Sequence, residues 1–370
     1  MRTDENAREA RVTARLPTWL ASERLAIVLP SLAVALALPS LWGGWVADDH
    51  HHRLRLADPS DLPESLADVP GSPMELFTFA DGDPVHMRPV MDLGLWPWWT
   101  LPELLAAFMR PVTALTHWVD YRLWPESPAF MHAQSLLWFA GLITVTTLLY
   151  RRLYGLTWVA GLAALLYAID DARAIPVGWL ANRNALITTF LGVSALIAHD
   201  RWRRNGWHVG AVVGPLLLTA SLLAKEAGIA TCAYLFAYAL FLDRGTRRER
   251  FLALLPYAAV VLVWRIAWTH LGYGVWGIEI YVDPVVEPLR YAAAVLRRCR
   301  SAGRYGSPAV TNSHATCGCG ISLRPRAGFG RKCIGNVLKS FVCGPTRLRG
   351  CSAYRCPRSV HLPRMTRTRG

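Results

Sequence analysis

The chain has 370 residues, of which 53% are hydrophobic and only 18% are charged. Soluble domains carry charged residues at about a quarter of their positions, so this composition argues against a soluble globular protein. The net charge of +14 suggests a nucleic-acid-binding protein, but its distribution argues against one. Residues 1–287 hold 23 basic and 26 acidic residues, whereas the last 83 residues hold 17 basic and no acidic ones. We therefore expect two different parts and no nucleic-acid partner.

Seven apolar segments predict membrane-spanning helices, because a helix of roughly 20 mostly apolar residues crosses the hydrocarbon core. The first is too long for the apolar core of a cleavable signal peptide. The composition and these segments together predict an all-α, polytopic transmembrane helix bundle. The predicted spans are 25–46, 132–150, 156–169, 185–198, 209–224, 228–242 and 251–271.

The charged residues between these segments predict the orientation of the chain. Arginines precede the first span and lie in every second connection after it, at 151–152, 201–204 and 244–250. Under the positive-inside rule, these positions face the cytoplasm. We expect a cytoplasmic segment at 1–24, a transmembrane region at 25–296 and a location in the bacterial inner membrane.

A long outer loop at 48–131 has two predicted parts. Residues 58–83 are rich in Pro, Asp, Ser and Gly, which predicts irregular chain. Residues 95–99 hold three tryptophans, and 101–124 place apolar residues at helical spacing, which predicts amphipathic helices in the headgroup region. These helices are either interfacial anchors without chemistry or a lid over a lipid-borne substrate.

Asp48 and Asp49 follow the first span directly. A carboxylate at the end of a span lies where the dielectric falls, and burial there raises its pKa and prepares it to accept a proton. The alternative is a solvated polar end of an apolar helix. Three histidines follow at 50–52, but consecutive side chains point in different directions, so no metal site is expected from them alone.

Two cations lie at the outer ends of later spans. Arg183 is in the first turn of a predicted span, where a guanidinium and a helix N-terminus together favour a phosphate group. Lys225 and Glu226 separate two apolar segments and predict an ion pair near membrane depth, which is costly and suggests a function. Both features have a structural alternative, in which the charges only anchor or end helices.

The order of these features resembles that of the C-type (GT-C) membrane glycosyltransferases, which include the protein mannosyltransferases. The similarity is greatest to the transmembrane tetratricopeptide mannosyltransferases and covers about residues 25–289. Many relatives carry a His-Pro pair after the third span, where this chain has Asp170 and Asp171. The resemblance is carried by 110–115, 119–124, 165–169, 223–226, His132, Trp179 and Arg183.

The resemblance implies a catalytic carboxylate, Asp48 first and Asp49 second, that accepts the proton of an acceptor hydroxyl while a sugar leaves a polyisoprenyl phosphate. It also implies donor-phosphate binding by Arg183 and Lys225, with a weaker contribution from Arg110. The implied partners are a polyisoprenyl-phosphate-linked sugar, membrane lipids and a protein or glycan acceptor. A divalent metal is compatible with this chemistry, but the sequence does not require one. The alternatives are a polytopic transporter, a lipid flippase or a non-catalytic membrane protein.

Residues 297–370 form a basic tail that holds seven of the eight cysteines and no tryptophan. The cysteine spacing lacks the Cys-x2-Cys pairs of a zinc module. A disordered tail that binds RNA or anionic lipid is a second interpretation. We favour a third, a shifted reading frame, because the composition changes within an apolar helical segment at 291–296. A shifted frame would leave the glycosyltransferase region truncated and inactive.

Overall fold

The computed structural model describes residues 18–62, 71–278, 281–282 and 287–305, with the side chains of 61 and 298–305 left aside. Residues 1–17 of the segment predicted to be cytoplasmic and residues 306–370 of the predicted tail lie outside these residues. Most of the described chain is helical. The helices are α1 (Leu25–Ala37), α2 (Asp48–Arg55), α3 (Pro84–Asp92), α4 (Pro111–Leu123), α5 (Pro128–Tyr154), α6 (Trp158–Ala168), α7 (Ala174–Gly178), α8 (Asn184–Asn205), α9 (Gly210–Ala224), α10 (Ala230–Phe241), α11 (Arg247–Leu252), α12 (Leu255–His270) and α13 (Pro288–Tyr305).

Four helical segments are long and apolar enough to cross a membrane. Three further apolar helices, α6, α9 and the segment that contains α10, are shorter. Helices therefore stand at all seven positions predicted from the sequence, and four of them reach the length of a span. These four segments are Leu25–Trp42, Pro128–Tyr154, Leu180–Asn205 and Arg247–His270.

A small antiparallel sheet, which the all-α prediction omits, joins the loop at 48–131 to the segment that follows α12. Strands β1 (Thr78–Asp81), β2 (Leu105–Ala107) and β3 (Gly274–Trp276) pair in the order β1-β2-β3. The helix predicted over 101–124 begins only at Pro111, because proline favours the first position of a helix. The residues before it form β2, and its partner β1 lies in the stretch predicted to be irregular.

The core of the bundle forms where α1 packs against α5. Leu25 and Leu29 are one helical turn apart and fully buried, and they cluster with Phe139 and Leu142 of α5. On the opposite side of α1, Ile27 is 73% exposed. A helix with one face packed on protein and an apolar outer face suits a bundle surrounded by lipid.

Helices α8 and α9 approach each other closely at Gly210. A Cβ atom on this residue would lie 2.5 Å from the carbonyl oxygen of Ala198 and 2.9 Å from Cβ of Trp202. Both are parts of α8 that cannot rotate away. The absence of a side chain at Gly210 therefore sets the distance between the two helices.

We expect Gly210→Ala to lower the melting temperature of the detergent-purified protein. Alanine normally stabilises a helix by about 1 kcal/mol relative to glycine, but overpacking costs about 1–3 kcal/mol. Gly178→Ala is the matched control, because a Cβ atom at Gly178 meets nothing within 4 Å. Equal melting temperatures for the two variants would contradict the close approach of α8 and α9.

Candidate functional site

Asp49 links the end of the first span to the start of α8. Its side chain is fully buried, and its Oδ2 and Oδ1 atoms accept hydrogen bonds from the backbone N–H groups of Val46 (2.8 Å) and Ala181 (2.7 Å). The Tyr121 hydroxyl donates to the Asp49 backbone carbonyl at 3.2 Å. Burial outweighs the two N–H donors and raises the pKa of Asp49 to about 6. Both carboxylate oxygens are thus occupied by the protein itself.

Asp48 differs from its neighbour because its carboxylate is free. The side chain is partly buried, and it makes no hydrogen bond or ion pair with another residue in the described part of the chain. Burial raises its pKa above the ordinary value, and the positive charge of Arg110 opposes that rise. A partly buried carboxylate with unoccupied oxygens and a raised pKa is suited to accept a proton.

Arg110 precedes α4 and is held on two sides. Its Nε and Nη2 atoms donate to Oε2 of Glu226 at 3.1 and 2.9 Å. Its guanidinium carbon lies 4.3 Å from the ring centroid of Phe108 and 5.2 Å from that of Phe77. The ion pair predicted between Lys225 and Glu226 is therefore replaced by one between Arg110 and Glu226.

Lys225 is buried beside this ion pair. Its Nζ atom donates to Oδ1 of Asn182 at 3.2 Å. Burial, with a smaller contribution from the charge of Arg110, lowers the pKa of Lys225 to about 7, and Glu226 opposes this effect. Because an approaching phosphate would raise that pKa again, Lys225 is suited to gain a proton when an anion binds.

Arg183 forms a completely buried ion pair with Asp120, in which Nη1 lies 2.6 Å from Oδ2. Its Nε atom donates to Oγ of Ser135 at 2.9 Å, and its Nη2 atom donates to the carbonyl oxygen of Met131 at 2.6 Å. Nη1 also donates to Oε1 of Gln134. All three guanidinium nitrogens are therefore engaged inside the protein. Contact of Arg183 with a donor phosphate stays a prediction, and it would require these partners to be exchanged.

Asp120 is not among the site residues predicted from the sequence. Helix α4 places Thr113, His117 and Asp120 at spacings of four and three residues, on one buried face. Thr113 Oγ1 donates to the Ala224 carbonyl at 2.9 Å, so this polar face packs on the end of α9. Polar residues at helical spacing on an outer helix are the signal that identifies such a face.

The histidines after Asp49 pack with aromatic rings. The centroid of the His52 ring lies 4.9 Å from that of Phe77 and 5.0 Å from that of His117, and His51 lies 4.8 Å from Phe79. Burial lowers the pKa of His51 to about 4 and that of His52 well below its ordinary value, so both are neutral at pH 7. Within the described ranges, no group of three His, Cys, Asp or Glu residues is arranged to hold a metal ion.

Comparison with known proteins supports a distant relationship. No family model and no solved structure matches the chain. Among curated proteins, the chain is similar to a protein O-mannosyl-transferase of Caenorhabditis elegans, with 28% identity over 129 residues. The match covers 33% of this chain and 17% of that protein, so the chain spans well under two thirds of its relative. This similarity supports a glycosyltransferase-like relationship and no finer assignment.

We expect Arg183→Gln to destabilise the protein by about 3–5 kcal/mol, because it leaves Asp120 as an uncompensated buried charge. The loss is measured as a fall in melting temperature. Lys225→Gln is the control, since this buried cation has one hydrogen bond to Asn182. Its loss of stability should be smaller than that of Arg183→Gln. The double variant Arg183→Gln/Asp120→Asn should regain part of the stability. A double variant less stable than Arg183→Gln would contradict the pairing.

The raised pKa of Asp49 predicts a pH-dependent stability. Its folded-state pKa of about 6 lies above the ordinary value of 3.8, so the native state holds this proton more tightly. The contribution of Asp49 is therefore complete below about pH 4 and is lost as the pH rises through 6, by about 3 kcal/mol. The melting temperature of the wild type should fall relative to that of Asp49→Asn between pH 4 and 7.

The control for this comparison is Asp92→Asn, which changes an exposed carboxylate at the end of α3. The difference in melting temperature between Asp92→Asn and the wild type should stay constant over this pH range. The hydrogen bonds from Val46 and Ala181 favour the ionised carboxylate, and the pKa of about 6 already includes their effect. A constant difference between wild type and Asp49→Asn across this range would contradict the raised pKa.

Proposed function

We propose that the chain belongs to a membrane glycosyltransferase that moves a sugar from a polyisoprenyl-phosphate donor to a hydroxyl group of a protein or glycan acceptor. The observation that carries the proposal is the free, partly buried carboxylate of Asp48 at the end of the first span, with the cations Arg110 and Lys225 nearby. The distant similarity to a protein O-mannosyl-transferase supports the same reaction class.

In the proposed reaction, the acceptor oxygen forms a bond to the anomeric carbon of the sugar. The bond from that carbon to the phosphate oxygen of the carrier breaks at the same time. Asp48 takes the proton of the hydroxyl group, and the carrier leaves as a phosphate monoester with one more negative charge. A cation in a water-poor site stabilises such a developing charge far more than it would in bulk water.

The two cations contribute differently to this step. Arg110 is already neutralised by Glu226, whereas the Lys225 side chain makes one hydrogen bond in the described part of the chain, to the neutral amide of Asn182. Lys225 is therefore the principal phosphate-binding residue of the proposal and Arg110 the secondary one. Arg183 and Asp49 act through other groups, as positioning residues that fix the start of α8 against α2.

The proposed topology has seven spans, a cytoplasmic N-terminus and the site on the extracytoplasmic face of a bacterial inner membrane. Two contacts support the direction of the first span. Arg151, at the end of α5, donates to the carbonyl oxygen of Glu23 just before α1. Asp49, in α2 after the first span, accepts a hydrogen bond from the N–H group of Ala181, just before α8. The first span thus runs from the end of the bundle that holds Arg151 to the end that holds the site.

A transporter or lipid flippase is the second candidate. The buried ion pairs Arg183–Asp120 and Arg110–Glu226 favour it, because charged pairs within a membrane protein often mark a transport pathway. This function predicts movement of a lipid-linked sugar without transfer of the sugar to an acceptor.

We expect Asp48→Asn to lower the rate of sugar transfer by about 10²–10⁴-fold, the usual contribution of a general base. Binding of the lipid-linked donor should persist, because the cations are unchanged. The assay supplies the purified protein with a panel of polyisoprenyl phosphate sugars and detects the glycosylated acceptor by mass spectrometry. Asp92→Asn is the control and should retain wild-type transfer. Transfer by Asp48→Asn at the wild-type rate would contradict the proposed base, and a wild type that translocates the lipid without transfer would support the second candidate.

A further inference from the structure

A cavity of about 800 Å³ opens at the end of the bundle away from Asp48, between the C-terminal ends of α5 and α8. Leu148 and Ile197 contribute apolar walls from the two helices. Arg151, Arg152 and Arg201 also line it. None of the proposed catalytic or phosphate-binding residues is part of this lining. The cavity therefore combines three guanidinium groups with apolar walls.

Two of these arginines have no carboxylate partner in the described chain. The side chain of Arg201 makes no hydrogen bond or ion pair there, and its guanidinium carbon lies 4.6 Å from the ring centroid of Trp207. Arg151 donates to the backbone carbonyls of Glu23, at 2.8 Å, and Ser22. Backbone carbonyls satisfy its N–H groups but leave its charge uncompensated.

The third arginine shares its counterion. Arg152 and Arg204 both pair with Asp200, and the Nε atom of Arg204 lies 2.9 Å from Oδ1. One carboxylate therefore serves two guanidinium groups. Together with Arg151 and Arg201, four arginines face a single aspartate, which leaves a surplus of three positive charges around the cavity.

The ends of the two helices do not cancel this surplus. A helix C-terminus carries about half a negative charge, so α5 and α8 together contribute about one. The cavity therefore remains positive by roughly two charges. A guanidinium group matches a phosphate with two parallel hydrogen bonds, and stacking on Trp207 holds Arg201 in place before a ligand arrives.

We propose that this cavity binds the headgroup of an anionic phospholipid. Arg201 holds the phosphate with its guanidinium group, the uncompensated charge of Arg151 adds attraction, and the acyl chains lie along Leu148 and Ile197. A free phosphate would gain nothing from apolar walls, whereas a lipid uses both features of the cavity. Basic pockets at the ends of membrane helices are suited to such headgroups, since surface potential and direct contact act together.

The test measures lipid retention by native mass spectrometry on the full chain, purified from phosphatidylcholine bilayers that contain a minor fraction of phosphatidylglycerol. We expect the wild type to retain phosphatidylglycerol. Arg201→Gln should weaken retention about fivefold, and Arg151→Gln/Arg201→Gln about 25-fold. The single variant removes a side chain without hydrogen bonds in the described chain, so it should still fold, and its melting temperature checks this.

The matched control is Arg247→Gln/Arg248→Gln, which removes two exposed arginines of α11. It should retain phosphatidylglycerol like the wild type. Equal loss in the control and in Arg151→Gln/Arg201→Gln would overturn the proposal in favour of a diffuse positive surface. If inorganic phosphate or glycerol phosphate displaces the lipid, the ligand of the cavity is a soluble phosphate. That result would overturn the proposal of a lipid ligand. Sugar transfer plays no part in this measurement, so its outcome is independent of the proposed enzyme.

Discussion

The ion pair between Arg183 and Asp120 is the contact on which the end of the bundle around Asp49 depends. Both side chains are completely removed from solvent, and taking two charges out of water costs several kcal/mol for each. That cost is offset only because Arg183 also has neutral acceptors on α5, at Ser135 and Met131. The pair joins α4, α5 and the start of α8 in one place. Two residues before Arg183, the N–H group of Ala181 holds Asp49, so the geometry of the candidate site follows from this pair.

The two ends of the bundle hold their charges in different ways. Around the candidate site, Arg110 and Arg183 are paired with carboxylates, whereas the side chains of Asp48 and Lys225 form no ion pair in the described part of the chain. The proposed reaction uses these two groups, Asp48 to accept a proton and Lys225 to bind a phosphate. At the other end, the arginines outnumber the carboxylates, and Asp200 is shared between Arg152 and Arg204. This excess of positive charge favours the binding of an anion, and such binding needs no proton transfer.

The sequence predicts a helix at each of its seven apolar segments, because these segments are apolar along their length, but it does not predict the short polar helices α2 and α3. It also predicts Asp48, Arg110 and Lys225 as site residues from their order along the chain, and their roles stay predictions. It does not predict the sheet, since strands of three or four residues show no periodicity. The partner of Arg183 is 63 residues away in Asp120 and depends on tertiary packing. The ion pair predicted between Lys225 and Glu226 does not form, and the reason is local. Lys225 has extended backbone, in which successive side chains point to opposite sides.

The contacts that hold α4 also determine which part of the loop at 48–131 can move. Lifting α4 would break the Arg110–Glu226 ion pair and the hydrogen bond from Thr113 to Ala224, both on the same connection before α10. In the stretch before β2, Trp98 and Trp99 are 80% and 60% exposed. In the proposed reaction, the lipid chain of the donor would therefore pass beneath this tryptophan stretch, while α4 stays fixed.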